Sequence, residues 1–239
     1  MSAIAEPPLV GILGGMGPAA TVDFYAKLIA ATPARSDQEH LRVMIWADPT
    51  VPDRSAAITG DGEDPTPKLV EGARRLADAG AAFYVVACNG AHAFLPRVRE
   101  EVDLDYLSII DVTADHLGTL PEVRMAGVLA TDATLMASLH EEALDRVGIE
   151  AVMPAAADQR VVMEAIFALK AGCLTPLQRY GLSKVAANLV DTGADMLIAA
   201  CTEVPLIVNG EDLATRLVDP TLLLAERAVQ YATNCSREA

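Results

Sequence analysis

Short apolar runs alternate along the chain with longer segments whose apolar residues recur at helical spacing, and this pattern predicts strands that alternate with helices. The apolar runs that predict strands lie at residues 9–13, 43–47, 82–87, 106–110, 125–130, 150–153 and 196–200. The segments with helical spacing lie at residues 19–31, 67–79, 133–147, 160–171, 176–191 and 220–232. Because strands and helices alternate, the expected fold class is α/β, with parallel sheets flanked by helices.

The two halves of the chain repeat one local pattern at a constant offset. Residues 80–89 (GAAFYVVACN) align without a gap onto residues 193–202 (GADMLIAACT). In each copy a helix-like segment ends at a glycine, an apolar run follows, and the run stops at a cysteine, Cys88 or Cys201. The repeat predicts two pseudo-symmetric lobes, each with a thiol at the carboxyl end of a buried strand, where open α/β sheets bind ligands. We therefore expect the active site in a cleft between the two lobes.

The repeat also sets the expected domain organisation, with the division between the lobes near residues 111–122. We assign residues 1–115 to an N-terminal α/β lobe and residues 116–215 to a C-terminal α/β lobe. Residues 216–239 are expected to form a closing helix that packs back on the N-terminal lobe.

Composition narrows the class of protein. With 239 residues, of which 52% are hydrophobic, the chain can bury a sizeable core. Its net charge of −15 argues against nucleic acid as a partner, which requires clustered basic residues. No apolar run is long enough to cross a membrane, and the N-terminus lacks the basic residues of a signal peptide. Four widely spaced cysteines favour reduced thiols, so we predict a cytoplasmic protein.

The two repeated cysteines are the first candidates for chemistry. A thiol between a strand and a helix N-terminus lies at the positive end of the helix dipole, which would favour the thiolate. The alternative is that both are ordinary buried cysteines. Cys173 and Cys235 follow no apolar strand, and we interpret them as cysteines without a catalytic role. Two thiols, one from each lobe, would suit chemistry on two faces of a small molecule.

A glycine-rich turn, Gly14-Gly15-Met16-Gly17-Pro18, follows the first predicted strand. Its backbone N–H groups could bind a carboxylate or a phosphate, and the alternative is a tight turn between strand and helix. The turn fits a dinucleotide fingerprint only loosely, because no strand-end acidic residue follows at the required distance.

Four charged or titratable residues are further candidates. Arg54 lies in a proline-stiffened loop and suits a carboxylate, unless it pairs with a neighbouring aspartate. His92 lies one turn after Cys88 and could act as an acid–base partner, polarise the thiol or be structural. Glu203 could cap a helix or bind a ligand ammonium group, and Lys170 ends a predicted helix.

At these residues the chain resembles the aspartate/glutamate racemase superfamily, and specifically its cofactor-independent aspartate racemase branch. The matching motifs span nearly the whole chain in the family's order: residues 11–18 (GILGGMGP), 32–33 (TP), 37–40 (DQEH), 52–54 (PDR), 87–89 (ACN) with 91–92 (AH), 129–132 (LATD), 170–172 (KAG), 201–203 (CTE) and 219–221 (DPT). The resemblance implies two α/β lobes with a ligand between them, and neither pyridoxal phosphate nor a metal.

The resemblance also implies roles for individual residues. Cys88 and Cys201 inherit the role of acid–base pair, and Arg54 and Lys170 resemble the family's anchors for the side-chain carboxylate. The family's contacts to the α-carboxylate and ammonium groups correspond to Asn89, Thr131, Thr202 and the backbone of Met16 and Gly17. One residue departs from the family pattern: Gly90 stands where the family usually has threonine, so the hydroxyl beside the first thiol is missing.

We therefore expect a cofactor-independent racemase of an acidic amino acid, aspartate before glutamate, that works as a homodimer without nucleic acid or membrane partners. One alternative within the superfamily is a cis–trans isomerase or a decarboxylase of a small diacid. A decarboxylase needs one thiol only, whereas cis–trans isomerisation uses a cysteine as nucleophile. The alternative outside it is a noncatalytic module that binds a small acid or a nucleotide.

Overall fold

The computed structural model describes residues 7–208, 213 and 215–238. The N-terminal residues up to Glu6, on which the prediction of no signal peptide rests, lie outside this part of the chain. The strands are β1 (Leu9–Gly14), β2 (Arg42–Ala47), β3 (Ala81–Val86), β4 (Tyr106–Leu107), β5 (Met125–Val128), β6 (Glu150–Val152), β7 (Met196–Ile198) and β8 (Leu217–Val218). The helices are α1 (Pro18–Ala31), α2 (Arg54–Thr59), α3 (Thr66–Asp78), α4 (Leu95–Glu101), α5 (Ile109–Gly118), α6 (Asp132–Met136), α7 (Leu139–Asp145), α8 (Ala156–Lys170), α9 (Pro176–Asp191), α10 (Val204–Ile207) and α11 (Pro220–Glu238).

The strands form two parallel four-stranded sheets with the same internal order. The first sheet is ordered β2-β1-β3-β4 and the second β6-β5-β7-β8. Each strand of the second sheet therefore occupies the position of the strand four places earlier in the chain. The predicted α/β class, with two pseudo-symmetric parallel sheets flanked by helices, is confirmed.

The repeat extends to the packing of one helix on each sheet. A Cβ atom on Gly11 of β1 would lie 3.0 Å from the Leu76 side chain of α3. A Cβ atom on Gly127 of β5 would lie 3.2 Å from the Leu189 side chain of α9. Both contacts would be tighter than most real Cβ contacts, so each of these strands has a glycine where a helix leucine lies close to it. The two leucines precede the two cysteine strands by the same interval.

The described residues form two compact units, which we call the first and second unit. The first unit contains the chain up to Pro52, Asp64–Val112 and the chain from Thr221. The second unit contains Asp53–Glu63 and Thr113–Pro220. The helix α2 is therefore grouped with the second unit, where it packs against α6.

The closing helix α11 belongs to the first unit. Its Tyr231 ring meets the ring of Phe83 on β3 edge-on, with 4.7 Å between the ring centroids. At its start, Thr221 Oγ1 accepts a 2.7 Å hydrogen bond from Lys27 Nζ of α1, and the same lysine is paired with Asp23. The helix thus completes a sheet whose strands all precede residue 108.

Three elements differ from their predictions, each for a local reason. The predicted strand 106–110 ends at Leu107, because Ile109 already begins α5. The predicted helix 133–147 is two helices, since Ser138 between them takes a left-handed conformation with φ 50°. The predicted loop at Arg54 is the helix α2, which begins where the Asp53 carboxylate accepts a hydrogen bond from the Ala56 N–H. In the described part of the chain, no helix is both long and apolar enough to cross a membrane.

Candidate active site

Cys88 lies just beyond the end of β3 in the first unit. Leu13 of β1 pairs with Val86 of β3, so the glycine-rich turn and the Cys88 loop leave the same edge of the sheet side by side. The Cys88 side chain is buried, with 9% of the residue exposed, and Asn89 beside it is also buried. Gly90 is partly exposed and begins the 3-10 turn Gly90–Ala93. The structure therefore brings Cys88, Asn89, Gly90 and the Met16-Gly17 turn to one end of the first sheet.

His92 supports this loop from within the core. Its Nε2 accepts a 3.2 Å hydrogen bond from the Ile109 N–H, so its Nδ1 carries the proton and donates to the Cys88 carbonyl oxygen at 2.9 Å. Burial lowers the pKa of His92 to about 4. A neutral imidazole with both nitrogens engaged is suited to holding the loop and not to acting as an acid–base partner.

The glycine turn is built around the close approach of β1, β2 and α1. Gly15 has φ +91°, and a Cβ atom there would lie 2.5 Å from the Asp48 backbone. The Gly15 N–H donates to Thr21 Oγ1 at 2.9 Å, and that hydroxyl donates to the Gly17 carbonyl oxygen at 3.0 Å. The Gly15 N–H is therefore already bonded to Thr21 and is not among the N–H groups of the turn that could bind an anion. Met16 and Gly17 directly precede the first turn of α1, and their backbone stays the proposed ligand contact.

The second unit places Cys201 in the equivalent position. Val128 of β5 pairs with Ile198 of β7, and Thr131 and Cys201 each follow three residues later at the same sheet edge. Thr131 is buried and caps α6 through a 3.3 Å hydrogen bond from the Thr134 N–H. Cys201 is buried too, with 7% of the residue exposed.

A buried carboxylate lies against the Cys201 thiol. Glu203 Oε2 accepts a 3.0 Å hydrogen bond from Cys201 Sγ and a 3.3 Å hydrogen bond from Thr202 Oγ1. The other carboxylate oxygen, Oε1, lies 3.8 Å from Nζ of Lys170 at the end of α8. Only 6% of the Glu203 side chain is exposed. Because the Thr202 proton points at Glu203, the lone pairs of its hydroxyl can accept from a substrate ammonium group.

The environment of Cys201 favours the thiol. Burial raises its pKa well above the ordinary value, and the Glu203 charge raises it further, whereas Lys170 acts in the opposite direction. The expectation that a helix dipole favours the Cys201 thiolate is wrong. The helix that follows, α10, has only four residues, and the nearer charge is the carboxylate.

Arg54 belongs to the second unit, whereas Cys88, Asn89 and the Met16-Gly17 turn belong to the first unit. It is the first residue of α2, which packs against the helix that Thr131 caps. The two aspartates considered as its partners have other ligands. Asp53 accepts from the Ala56 N–H at 2.8 Å, and Asp48 accepts from the N–H and hydroxyl of Thr50 at 2.8 and 2.6 Å. Arg54, Thr131, Lys170, Cys201, Thr202 and Glu203 are thus all carried by the second unit.

The sequence did not predict several supporting contacts. Gln159 Nε2 of α8 donates to the Ala130 carbonyl oxygen at 3.0 Å and to Asp132 Oδ1 at 2.8 Å, and so fixes both neighbours of Thr131. The hydroxyl of Thr21, four residues after Gly17, could have been found from its spacing, since threonine hydroxyls often bond to the carbonyl four residues earlier. Within the described residues, no group of three or more His, Cys, Asp or Glu side chains is placed to hold a metal ion.

Comparison with known proteins identifies the family and the fold. A family model described as Asp/Glu/hydantoin racemase matches residues 13–228. The structure of Picrophilus torridus aspartate racemase is similar, with a TM-score of 0.85 and 32% identity, and the match covers 95% of this chain and 94% of that one. The broad-specificity amino-acid racemase RacX of Bacillus subtilis is 26% identical over 92% of this chain and 96% of its own length. Glutamate racemase from Francisella tularensis, with a TM-score of 0.71 and 17% identity over 95% of this chain and 81% of that one, shares the fold.

The family model and the similarity to racemases identify the protein as an enzyme of the racemase class of isomerases. The chain belongs to the Asp/Glu/hydantoin racemase family.

Proposed function

We propose that the protein interconverts the L and D forms of an acidic amino acid, aspartate before glutamate, by proton transfer between two cysteines and without a cofactor. The observation that carries the proposal is the repeated position of Cys88 and Cys201 at the ends of equivalent strands in two sheets of identical order. Each thiol is buried beside polar groups at its own strand end.

In the proposed reaction one cysteine acts as thiolate and removes the α-proton, which becomes the proton of that thiol. The other cysteine, initially a thiol, delivers its own proton to the opposite face of the planar carbanion and becomes a thiolate. The reverse reaction starts from the opposite protonation states. General acid–base catalysis of this kind contributes roughly 10²–10⁴-fold, so dipoles around the α-carboxylate must provide much of the remaining acceleration. Asn89, Thr131, Thr202 and the Met16-Gly17 backbone are the proposed contacts.

The choice of an acidic substrate rests on two cations. Arg54 and Lys170 are proposed to hold the side-chain carboxylate, and the guanidinium group suits a bidentate contact. The Lys170 ammonium group is already 3.8 Å from Glu203, so it would be shared between that carboxylate and the substrate.

A second candidate is racemisation of a broader range of amino acids. It is favoured by Gly90, which leaves space beside Cys88 where the resemblance implies threonine, and by the similarity to a broad-specificity racemase. A chiral assay without added cofactor, run on acidic, neutral and basic amino acids and on small diacids, separates the two candidates. Turnover of a diacid alone would instead favour the isomerase or decarboxylase alternative, and nucleotide binding without turnover would favour the noncatalytic one. The homodimer and the cytoplasmic location stay predictions.

The mechanism is tested by running a single enantiomer in D₂O. We expect solvent deuterium in the inverted product and little in recovered substrate at early times, because the abstracted proton and the delivered deuteron are on different thiols. Cys88→Ala and Cys201→Ala should each abolish racemisation. Each variant should still exchange the α-proton of one enantiomer, and the two should prefer opposite enantiomers.

The remaining cysteines provide matched controls. Cys173 is exposed and Cys235 is half-buried, so Cys173→Ala and Cys235→Ala should leave the rate of racemisation unchanged. Full racemisation by either Cys88→Ala or Cys201→Ala would contradict the two-base mechanism and favour a reaction that uses one nucleophilic thiol.

A further inference from the structure

Glu203 has a contact that neither of its expected roles explains. It occupies the N-cap position of α10, yet its side chain makes no capping hydrogen bond there. Its carboxylate instead turns to the Cys201 thiol at 3.0 Å and the Thr202 hydroxyl at 3.3 Å. A carboxylate that accepts two protons from within the protein is oriented as an acceptor, and both of its donors are proposed parts of the reaction site.

The charges around Cys201 come from few elements. Glu203 lies on the same loop, and Lys170 reaches it from the end of α8. From α9, the Arg179 guanidinium group donates to the carbonyl oxygens of Leu206 and Ile207 at the end of α10. Among the described residues, the groups whose charges act on the Cys201 thiol are therefore Glu203 and Lys170.

We propose that Glu203 is a positioning residue that holds Cys201 in its thiol form, so that Cys201 enters the reaction as the proton donor and Cys88 as the base. The ionised carboxylate accepts the Sγ–H hydrogen bond and opposes a second negative charge 3.0 Å away. Lys170 moderates this effect, since its ammonium group neutralises part of the carboxylate charge. The inference rests on the proposed function for its catalytic consequence, although the state of the thiol does not depend on turnover.

The proposal implies that the resting enzyme is asymmetric. Because the Glu203 carboxylate contacts the Cys201 thiol, we expect the free enzyme to keep the Cys201 proton. This form is competent for the enantiomer whose α-proton faces Cys88. The form required by the other enantiomer is reached when the proton moves to Cys88, by turnover or through solvent.

The test titrates Cys201 as the only cysteine, in a chain that carries Cys88→Ala, Cys173→Ala and Cys235→Ala. Thiolate formation is followed by ultraviolet absorbance as the pH rises, which requires no reagent to enter the buried site. Glu203→Gln keeps the shape of the side chain and removes its charge, so its titration midpoint should fall. Near pH 8 the thiolate fraction should rise about tenfold or more, as expected for removal of a contacting like charge.

Two further variants test the direction of the shift and its specificity. Lys170→Met should move the midpoint upward, because it removes the cation that favours the thiolate and leaves Glu203 uncompensated. Glu164→Gln removes a carboxylate from the exposed side of the same helix and should leave the midpoint unchanged. If Glu203→Gln fails to fold, the opposite shift in Lys170→Met still tests the proposal, and an unchanged midpoint in Lys170→Met overturns it.

The catalytic consequence is measured in the enzyme with all its cysteines. The alkaline limb of the pH profile of kcat/KM reports the free enzyme, and it should move to lower pH in Glu203→Gln. An unshifted limb, or an unshifted Cys201 titration, overturns the proposal. If the inverted product of the wild-type enzyme carried no solvent deuterium, the two-cysteine mechanism would be overturned instead. The result of the Cys201 titration would not be affected.

Discussion

The stability of the first unit should depend on pH through His92. In the folded protein the pKa of His92 is lowered to about 4 by burial, whereas an unperturbed histidine titrates at 6.5. Between these values the unfolded chain binds a proton that the folded chain does not, so stability is fully present above about pH 6.5 and is lost as the pH falls toward 4. The difference between these two pKa values corresponds to roughly 3 kcal/mol in the free energy of unfolding, at about 1.4 kcal/mol per pH unit. From about pH 7 to about pH 5 the expected loss is roughly 2 kcal/mol.

The perturbation that isolates this effect is His92→Asn. The asparagine amide can place an N–H where His92 has Nδ1 and can still donate to the Cys88 carbonyl, and it does not titrate in this range, although it has no acceptor at the position of Nε2. The variant should be less stable near pH 7, because a well-packed ring is lost, and its stability should vary less between pH 7 and pH 5.

Urea unfolding provides the assay, because the single tryptophan, Trp46, lies on β2 in the same unit as His92. Its fluorescence therefore reports the unit in which the effect is expected. His40→Asn, a half-exposed histidine of that unit, is the matched control and should keep the wild-type pH dependence. If wild type and His92→Asn lost stability in parallel, the assignment of His92 as a buried neutral histidine would be refuted.

Three further predictions concern backbone and substrate contacts. Gly15→Ala should lower the free energy of unfolding, measured by heat or urea, by about 2 kcal/mol more than Gly80→Ala does. Both glycines have positive φ, but only a Cβ atom on Gly15 would clash with the Asp48 backbone. Equal destabilisation would contradict the close approach. Arg54→Ala should lower kcat/KM about ten- to a hundred-fold with little change in Tm, the effect of one charge-assisted hydrogen bond, and wild-type kinetics would exclude a substrate role. Gly90→Thr should raise aspartate turnover, since a 3-10 turn accepts threonine, whereas lost turnover at unchanged Tm would indicate that Gly90 makes room for a larger substrate.

The parts of the fold that could be predicted are those specified by local sequence. A glycine followed by an apolar run and a cysteine defines β3 and β7 without reference to the rest of the chain, and the repeat of that pattern predicts two similar sheets. The prediction of a strand over 106–110 was wrong at its second half, because it too relied on local sequence alone. Ile109 and Ile110 continue an apolar β-branched pattern that is typical of a strand. In the structure, however, the Ile109 N–H donates to His92, seventeen residues earlier, and Ile109 is the first residue of the helix α5.

The site shows the same division between local and distant information. The strand-end positions of Cys88 and Cys201 followed from periodicity, whereas Thr131 at the start of α6 was named from the family resemblance. The protonation states followed from neither, because they depend on groups that only the fold brings together: the Ile109 N–H for His92, and Lys170 for Glu203. The Cys201–Glu203 contact spans only two residues, but the spacing alone does not say that the carboxylate turns inward to the thiol instead of capping α10.

The assignment of α11 to the first unit determines the order in which the protein can fold during synthesis. The ribosome releases β1 to β4 early, yet Phe83 on β3 packs against Tyr231 of α11, a helix that is made only after the whole second unit. The second unit contains no residue beyond Pro220, so it can fold before α11 covers the sheet of the first unit. Domains usually complete in the order in which they are translated. For this chain we expect the reverse order, because the first unit is complete only when α11 has been synthesised.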